Sequence, residues 1–207
     1  MLDGRYARLE PLTVERHEET LFESARQPGA EARFAYLFDD VPADLPAFHR
    51  WVERAAGAVD PLFFAVIDKA TGRAEGRQAL LRIDPVHGVI EIGHILWGPA
   101  IARTRVATEA LYLSAEYVFD TLGYRRLEWK CNDRNLPSKR AALRFGFSFE
   151  GVFRQHMVVK GQNRDTAWFS ILDEEWPALK SSYHAWLSPD NFDAQGQQKR
   201  NLEQCRE

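Results

Sequence analysis

The stretch that most constrains the fold of this chain joins an apolar strand to a long amphipathic helix. Residues 89–97 have the length and apolar content of a buried strand, and they end at Gly98-Pro99. In residues 104–122 small and apolar side chains recur at steps of three and four, and Gly123 follows where such a helix ends. The side chains on this face are Ala107, Ala110, Leu111, Ser114, Val118 and Leu122. A strand followed by an amphipathic helix predicts a layered mixed α/β fold.

Weaker patterns on both sides of this stretch predict the order of the other elements. They indicate a strand, two helices, three strands, a helix, a strand, a helix, two strands and a last helix, with no dividing linker. Thr13, Asp44 and Asn135 stand at helix starts as candidate N-caps. We expect one domain over residues 1–187 and, because residues 188–207 are polar and lack a core pattern, a loose tail after it.

Composition and charge argue against several classes of protein. The formal net charge of −3 gives no reason to expect a nucleic-acid or membrane-surface binder. Cys131 and Cys205 are the only cysteines, and no Cys/His spacing resembles a metal site. The sequence begins without a signal-peptide hydrophobic region, and no apolar run is long enough to span a membrane. We expect a cytoplasmic, metal-free protein that is a monomer or a homodimer.

The loop between the strand and the long helix is the first candidate for chemistry. A helix N-terminus offers unpaired backbone N–H groups and the positive end of the helix dipole, which together form an anion site. Arg103 and Arg105 add two positive charges there. The same residues also fit an ordinary loop with solvated arginines, and the residues alone leave both interpretations open.

Glu91 is a carboxylate in the middle of the apolar strand. Strict alternation puts Glu91, Gly93 and Trp97 on one face of that strand. A carboxylate in such a place costs free energy unless it is exposed or paired. It is therefore either a general base with a raised pKa or the partner of a neighbouring arginine. His94 is more simply explained as a core histidine.

The segment of residues 131–140 is a second strand-to-helix junction. Asn135 is explained as the helix cap, whereas Asn132 and Ser138 are less constrained and can hydrogen-bond a ligand at the strand end. The sequence contains neither a G-x-S-x-G elbow nor a G-x-x-x-x-G-K-[ST] loop, so these two catalytic classes receive no support.

Five segments, in order along the chain, resemble the GCN5-related N-acetyltransferases, and within them the branch of ribosomal-protein N-terminal acetyltransferases. They are Glu91-Ile92-Gly93, Ala107-Thr108-Glu109-Ala110, residues 135–141 running into Phe145-Gly146-Phe147, Phe149-Glu150-Gly151, and Arg164-Asp165-Thr166. The resemblance implies a central mixed, mostly antiparallel, twisted sheet of about seven strands flanked by about four to five helices. It also implies acetyl-CoA as the cosubstrate and an amine acceptor, either a protein N-terminus or a small molecule.

The same resemblance implies where acetyl-CoA binds. The strands of residues 89–97 and 126–131 would splay apart, and the pantetheine arm would lie between them, bonded to the strand edge near Leu96 and Trp97. Asn132, Asn135 and Ser138 would touch the cofactor or the thioester. The pyrophosphate would lie on backbone amides of the loop and helix start, which comprise Arg103, Thr104, Arg105, Val106, Ala107 and Thr108.

Direct attack of the amine on acetyl-CoA in a ternary complex is the implied reaction. Glu91 would take the amine proton, through water, and Ser138 would protonate the leaving thiolate. The phosphate loop departs from the family pattern, because Ala102 and Arg105 stand where a basic residue and a glycine are usual. Two alternatives therefore stay open: a CoA-binding module with weak or no activity, and an acetyltransferase that acts on an aminoacyl-nucleotide-like metabolite.

Overall fold

The computed structural model describes residues 1–206 and contains one eight-stranded sheet with six α-helices. The strands are β1 (Leu2–Asp3), β2 (Ala7–Pro11), β3 (Leu62–Asp68), β4 (Arg73–Asp84), β5 (Val89–Trp97), β6 (Arg126–Asn132), β7 (Ser148–Val159) and β8 (Gln162–Leu172). The helices are α1 (Val14–Ala25), α2 (Ala30–Phe34), α3 (Leu45–Ala56), α4 (Arg105–Glu116), α5 (Leu136–Phe145) and α6 (Trp176–Leu187). None of the helices within residues 1–206 has the length and apolar character needed to cross a membrane.

The sheet is antiparallel except at one joint. Its strand order is β1-β2-β3-β4-β5-β6-β8-β7, and only β5 and β6 run parallel among the described strands. Their pairing extends from Val89↔Arg126 to Ile92↔Trp129 and stops there, although both strands continue. The predicted splay between these strands is therefore confirmed, and it leaves one edge of the second half of β5 without a strand partner.

A β-bulge interrupts β5 directly after the paired segment. Ala79 of β4 pairs with Gly93, but Arg77 pairs with Leu96, so β5 contains one residue more than β4 over this interval. His94 lies within the bulge with a φ of 49°, in the left-handed region. Such an extra residue bends the strand and changes the face on which the following side chains lie.

Because of the bulge, the side chains that share a face of β5 differ from those predicted for Glu91. Ile92 belongs to the core under α4, and beyond the bulge Ile95 and Trp97 pack against that same core. The side chains on this face therefore have even residue numbers before the bulge and odd residue numbers after it. The prediction that Glu91 and Trp97 share a face is wrong, because it assumed uninterrupted alternation.

At β3 the sheet is covered on both faces. Alternate residues of β3 show this directly, because Phe64 and Val66 join the larger core, which includes α4 and α6, whereas Phe63 and Ala65 join a smaller core with α1 and α3. A strand buried on both faces reads as a continuous apolar run, which is the pattern of residues 62–67.

Helix caps account for most of the predicted helix starts. Asp44 Oδ1 accepts a hydrogen bond from the backbone N–H of Ala47 at 2.7 Å, which confirms the predicted cap of α3. Thr13 precedes α1 as predicted, but its side chain makes no cap hydrogen bond. Its backbone N–H donates to Nδ1 of the buried His17 at 3.1 Å instead, so the predicted role of its hydroxyl is wrong.

Two short elements and the C-terminal segment differ from the expectations. The five-residue helix α2 and the two-residue strand β1 are additions to the predicted order of elements. Residues 188–206 pack onto the rest of the chain: Leu202 is 1% exposed within the larger core, and Trp186 Nε1 donates to Gln198 Oε1 at 2.8 Å. The expected loose tail is wrong because two isolated apolar residues, Phe192 and Leu202, anchor it without forming a periodic pattern.

A buried carboxylate ties α4 to the start of β2. Glu109 is 5% exposed, and it accepts hydrogen bonds from the backbone N–H groups of Arg5 at 2.9 Å, Tyr6 at 2.5 Å and Ala7 at 2.6 Å. Charge-assisted bonds from three donors compensate for the lost hydration of the carboxylate. Gly4 lies against the same group, since a Cβ there would come within 2.5 Å of Glu109 Cδ.

We expect Glu109→Ala to lower the free energy of unfolding by about 3 kcal/mol, because buried N–H groups lose a charged acceptor. Urea unfolding followed by circular dichroism measures this loss. Glu19→Ala, at an exposed position of α1, is the matched control and should change stability by less than about 0.5 kcal/mol. Equal effects of the two substitutions would show that Glu109 does not hold the helix to the sheet.

Candidate active site

The splay between β5 and β6 opens a cavity of about 470 Å³. Its walls come from β5, the end of β6, the start of α5, the aromatic loop of residues 36–38 and the β7–β8 hairpin. Six of the side chains predicted from the sequence as site residues lie on these walls, namely Glu91, Leu96, Trp97, Asn132, Asn135 and Ser138. Ala102 also lines the cavity, so the cavity extends to the loop before α4.

The loop before α4 presents free backbone donors. Thr104 is the N-cap of α4, and its Oγ1 accepts from the backbone N–H of Val106 at 3.2 Å. Within residues 1–206 no acceptor bonds the backbone N–H groups of Arg103, Arg105 and Ala107. Free donors at the positive end of a helix dipole suit a phosphate, so the predicted phosphate loop has the required chemistry.

Arg105 has a different place from the one expected. It is the first residue of α4, so its backbone is helical and no glycine is needed there. Its guanidinium carbon lies 4.7 Å from the ring centroid of Tyr6 and 4.6 Å from that of Phe192. The side chain therefore stacks between two rings and fastens the C-terminal segment. Arg103 is exposed and has a φ of 64°, which leaves it as the cation of the loop that faces solvent.

A further cation reaches the helix start from α5 and was missed in the sequence. Arg144 Nη1 donates to Thr108 Oγ1, in the first turns of α4, at 3.2 Å. The contact joins residues 36 apart in the chain, so no local pattern pointed to it. Burial lowers the pKa of the Arg144 guanidinium, although an arginine stays charged at neutral pH.

Glu91 is 6% exposed and lies on the cavity wall between two cations. Its Oε2 is 3.0 Å from Lys130 Nζ and 3.2 Å from Arg82 Nε. Burial raises the pKa of the Glu91 carboxyl above its ordinary value, and the charge of Lys130 opposes that rise. Glu91 thus has a feature of each interpretation: its pKa is raised, and it pairs with a neighbouring arginine.

Ser138 lies at the start of α5, where its hydroxyl faces both the protein and the cavity. Its Oγ accepts a hydrogen bond from Trp129 Nε1 at 3.0 Å, and its hydroxyl also hydrogen-bonds the sulfur of Cys131, which lines the same cavity. Asn135 caps the helix by accepting from the backbone N–H of Ser138 at 3.1 Å, which confirms the predicted cap. Asn132 Oδ1 accepts from the backbone N–H of Arg134 at 3.0 Å, which leaves its Nδ2 group for a ligand.

Cys131 reaches the cavity from the core. It is 6% exposed and packs in the larger core. Burial raises the pKa of the Cys131 thiol, so the thiolate needed for a nucleophile is scarce at neutral pH.

Two further side chains, the half-buried His94 and the buried Arg164, complete the cavity wall. His94 packs on the rings of Phe38 and Phe63, and burial lowers its pKa to about 4, so it is neutral at physiological pH. Arg164, from β8, is 7% exposed, and its guanidinium carbon lies 5.1 Å from the Phe38 ring centroid. The sequence marked Arg164 only as part of a family-like segment, because the cavity forms from elements distant in the chain.

Comparison with known proteins assigns the chain to a family. The chain matches the family described as acetyltransferase (GNAT) domain over residues 7–148. The chain belongs to the GNAT acetyltransferase family. The GNAT assignment confirms the superfamily predicted from the five sequence segments and explains the mixed sheet with its single parallel joint.

Individual GNAT relatives agree with this assignment. The chain is 60% identical to a GCN5-related N-acetyltransferase from Brucella melitensis, with a TM-score of 0.98 over 99% of this chain and 93% of that chain. A probable GNAT acetyltransferase from Chromobacterium violaceum ATCC 12472 is 41% identical, with a TM-score of 0.79 over 85% and 87% of the two chains. The uncharacterized N-acetyltransferase p20 of Bacillus licheniformis is 32% identical over 117 residues, which is 55% of this chain. The aligned part spans 63% of that relative's length.

These relatives fix the GNAT family but not the acceptor. The ribosomal-protein branch inferred from the late segments stays a prediction, and so do the roles of the individual site residues. Within residues 1–206 no group of three or more His, Cys, Asp or Glu side chains could hold a metal ion.

We expect Asn135→Ala to destabilise this GNAT domain by about 1 kcal/mol, because the first turn of α5 loses its side-chain cap. Urea midpoints measure the effect. Asn135→Ser keeps a capping oxygen and should recover most of the loss. If the alanine and serine variants are equally unstable, the cap contributes nothing and Asn135 serves another purpose.

Proposed function

We propose that this chain transfers an acetyl group from acetyl-CoA to a primary amine by direct attack in a ternary complex. One observation carries the proposal: strand pairing stops after Ile92 and Trp129, and the cavity opened there extends to Ala102 beside the N-terminus of α4. A single site thus combines a strand edge, an apolar slot and an anion-binding helix start. Membership of the GNAT family supports the same reaction.

The residues present fit acetyl-CoA, which supplies an acetyl group activated as a thioester. The free N–H groups of Arg103, Arg105 and Ala107 bind the pyrophosphate, with the Arg103 side chain adding charge. The unpaired edge near Leu96 and Trp97 bonds the pantetheine arm. On the opposite strand and helix, Asn132, Asn135 and Ser138 line the same slot.

The reaction requires a neutral amine and a protonated leaving group. The amine nitrogen forms a bond to the carbonyl carbon as the carbon–sulfur bond breaks. Glu91 accepts the amine proton through water, and Ser138 donates a proton to the departing sulfur. A backbone N–H near Leu96 or Trp97 stabilises the negative charge on the carbonyl oxygen. The raised pKa of the buried Cys131 thiol favours this direct route over a covalent enzyme intermediate.

Two acceptor classes agree with this chemistry, a protein N-terminus, as in the ribosomal-protein branch, and a small-molecule amine. The aromatic loop offers an apolar wall to either class, because Tyr36 and Phe38 line the cavity. The test is release of free CoA thiol with N-terminal peptides and with a library of small amines. Turnover with either class supports the proposal. Binding of acetyl-CoA without any turnover would favour the non-catalytic module, and no binding would overturn the proposed site.

We expect acetyl-CoA to stabilise the folded chain by about 2.7 kcal/mol at a concentration about 100 times its Kd. The physical reason is that the ligand binds the assembled slot and not the unfolded chain. Thermal unfolding with and without acetyl-CoA measures the shift, and free adenosine is the control. An unchanged midpoint at saturating acetyl-CoA would contradict the cofactor assignment.

We expect Arg103→Ala to impair phosphate binding and Arg105→Ala to impair the stability of the fold. Arg103→Ala should weaken CoA about tenfold and leave a truncated pantetheine thioester unaffected, because only CoA carries the phosphates. Arg105→Ala loses its stacking on Tyr6 and Phe192, so it should lower thermal stability and weaken both ligands equally. Calorimetric titration of each variant with both ligands checks this. Equal loss of both ligands in Arg103→Ala would remove Arg103 from the phosphate site.

We expect Glu91→Gln to lower turnover by about 100-fold, the scale of losing a general base, with little effect on CoA binding. A base acts only when it is deprotonated, and burial raises the pKa of Glu91. The rate should therefore fall on acidification at a higher pH than an ordinary carboxyl would give, and this acid limb should flatten in the variant.

Glu128→Gln is the matched control for that substitution. Glu128 lies 2.6 Å from the same Lys130 but is not on the cavity wall, so its loss should keep the acid limb. The limb should only move to lower pH, because the Glu128 charge helps to raise the pKa of Glu91. If Glu91→Gln keeps normal rates and the same acid limb, Glu91 serves only as the partner of Arg82 and Lys130.

A further inference from the structure

The cavity wall carries more positive than negative charge. Its charged side chains are Arg33, Arg82, Lys130 and Arg164, against the single carboxylate Glu91. The two histidines do not change this balance, because burial lowers the pKa of both His94 and His156. An anionic ligand is thus favoured over a cationic one in this cavity.

Three of the four wall cations have an ion-pair or hydrogen-bond partner within the chain. Arg82 and Lys130 share the carboxylate of Glu91. Arg33 donates to backbone carbonyls, including Pro28 O at 2.7 Å. These cations therefore have neighbours that compensate their charge or their hydrogen-bonding capacity.

Arg164 is different. It is 7% exposed, and its Nε is buried without a hydrogen-bond partner, as is that of Arg33. Unlike Arg33, whose two terminal nitrogens donate to carbonyls, Arg164 makes no side-chain hydrogen bond within residues 1–206. Within residues 1–206 its guanidinium forms no ion pair, and the ring of Phe38 is its close aromatic neighbour. A buried, unpaired charge is costly to hold, and the Phe38 ring offsets only part of that cost. The guanidinium lies on the cavity wall, so a ligand in the cavity can provide the missing anion.

The location of Arg164 separates it from the phosphate end of the site. It pairs with Met157 across the β7–β8 hairpin and lies two residues before Thr166, which pairs with Asn132 at the end of β6. The backbone N–H groups proposed to bind the pyrophosphate lie instead on the loop before α4, near Ala102. Arg164 therefore faces the part of the cavity left for the acceptor.

We propose that Arg164 binds a carboxylate of the acceptor, so that the acceptor is a small amine that also carries a carboxylate, such as an amino acid. The inference rests on the proposed function for the identity of the reaction. A guanidinium presents two parallel N–H groups that match the two oxygens of a carboxylate. A polyamine would bring further positive charge toward Arg164 and Lys130, and a peptide N-terminus would place an uncharged amide where the carboxylate belongs.

The first experiment compares acids with their amides. The α-amino acids, each paired with its carboxamide, are assayed for release of free CoA thiol, with spermidine and N-terminal peptides alongside. At least one acid should exceed its amide by about tenfold or more in kcat/KM. Equal rates for every pair, or a preference for spermidine or for peptides, would overturn the inference.

Variants assign that preference to Arg164. Arg164→Gln should lower kcat/KM for the acid by about 10- to 100-fold, mainly through KM, and leave the amide unchanged. Arg164→Lys should recover part of the lost kcat/KM, because lysine keeps the positive charge but lacks the two parallel N–H groups. Arg154→Gln is the matched control, since it removes one positive charge from an exposed position of the same hairpin. Equal loss with acid and amide, or the same effect in Arg154→Gln, would contradict the assignment.

A binding measurement keeps the inference testable when turnover is absent or a variant folds poorly. Calorimetric titration of the wild-type chain, saturated with CoA, compares N-acetyl amino acids with N-acetyl amino amides. Tighter binding of the acids without any turnover would support the anion site while the proposed function fails. Turnover without any preference for the acids, in rate or in binding, would support the proposed function and overturn the anion site at Arg164.

One arm distinguishes a carboxylate from a phosphate. β-Alanine and O-phosphoethanolamine have similar amine spacing but different anions. Arg164 presents a single guanidinium to the cavity, and its two parallel N–H groups suit the two oxygens of a carboxylate better than a phosphate with three. A preference for O-phosphoethanolamine that Arg164→Gln abolishes would overturn the carboxylate assignment.

Discussion

The short parallel ladder between β5 and β6 is the joint on which the rest of this molecule depends. It connects the five strands that precede it to the three that follow, and it extends only from Val89↔Arg126 to Ile92↔Trp129. Directly after it, the bulge at His94 bends β5 away, and the free strand edge becomes a wall of the cavity. The same ladder therefore holds the sheet together and, by ending early, creates the site.

Charged groups are arranged around this joint in two different ways. Glu91, Lys130 and Glu128 are buried and linked to one another, so their charges are compensated inside the protein. Such a network fixes positions more than it adds stability, because desolvation offsets most of the attraction between the charges. Arg164, on the same wall, has no carboxylate partner among the described residues 1–206. The contrast distinguishes groups that hold the cavity from a group available to a ligand.

Local patterns revealed those parts of the fold whose causes are local. The caps at Asp44 and Asn135 depend on neighbouring residues and were predicted. The predicted face of α4 was correct only in part, because the helix is buried on all sides over residues 106–115 and Leu122 is 37% exposed. The face of Glu91 was not, because a bulge depends on how β5 pairs with β4. The stacking of Arg105 between Tyr6 and Phe192 joins three distant segments and left no periodic signal.

The sequence by itself determined the mixed α/β class, the order of the elements and the family, because apolar spacing, capping residues and motif segments are properties of adjacent residues. It also named Glu91, Asn132, Asn135 and Ser138, which the structure brings to one cavity. Only the tertiary structure decided which charges are paired there and that Arg164 joins them. The physical reason is that pairing and burial arise between side chains brought together by packing, and no spacing along the chain encodes them.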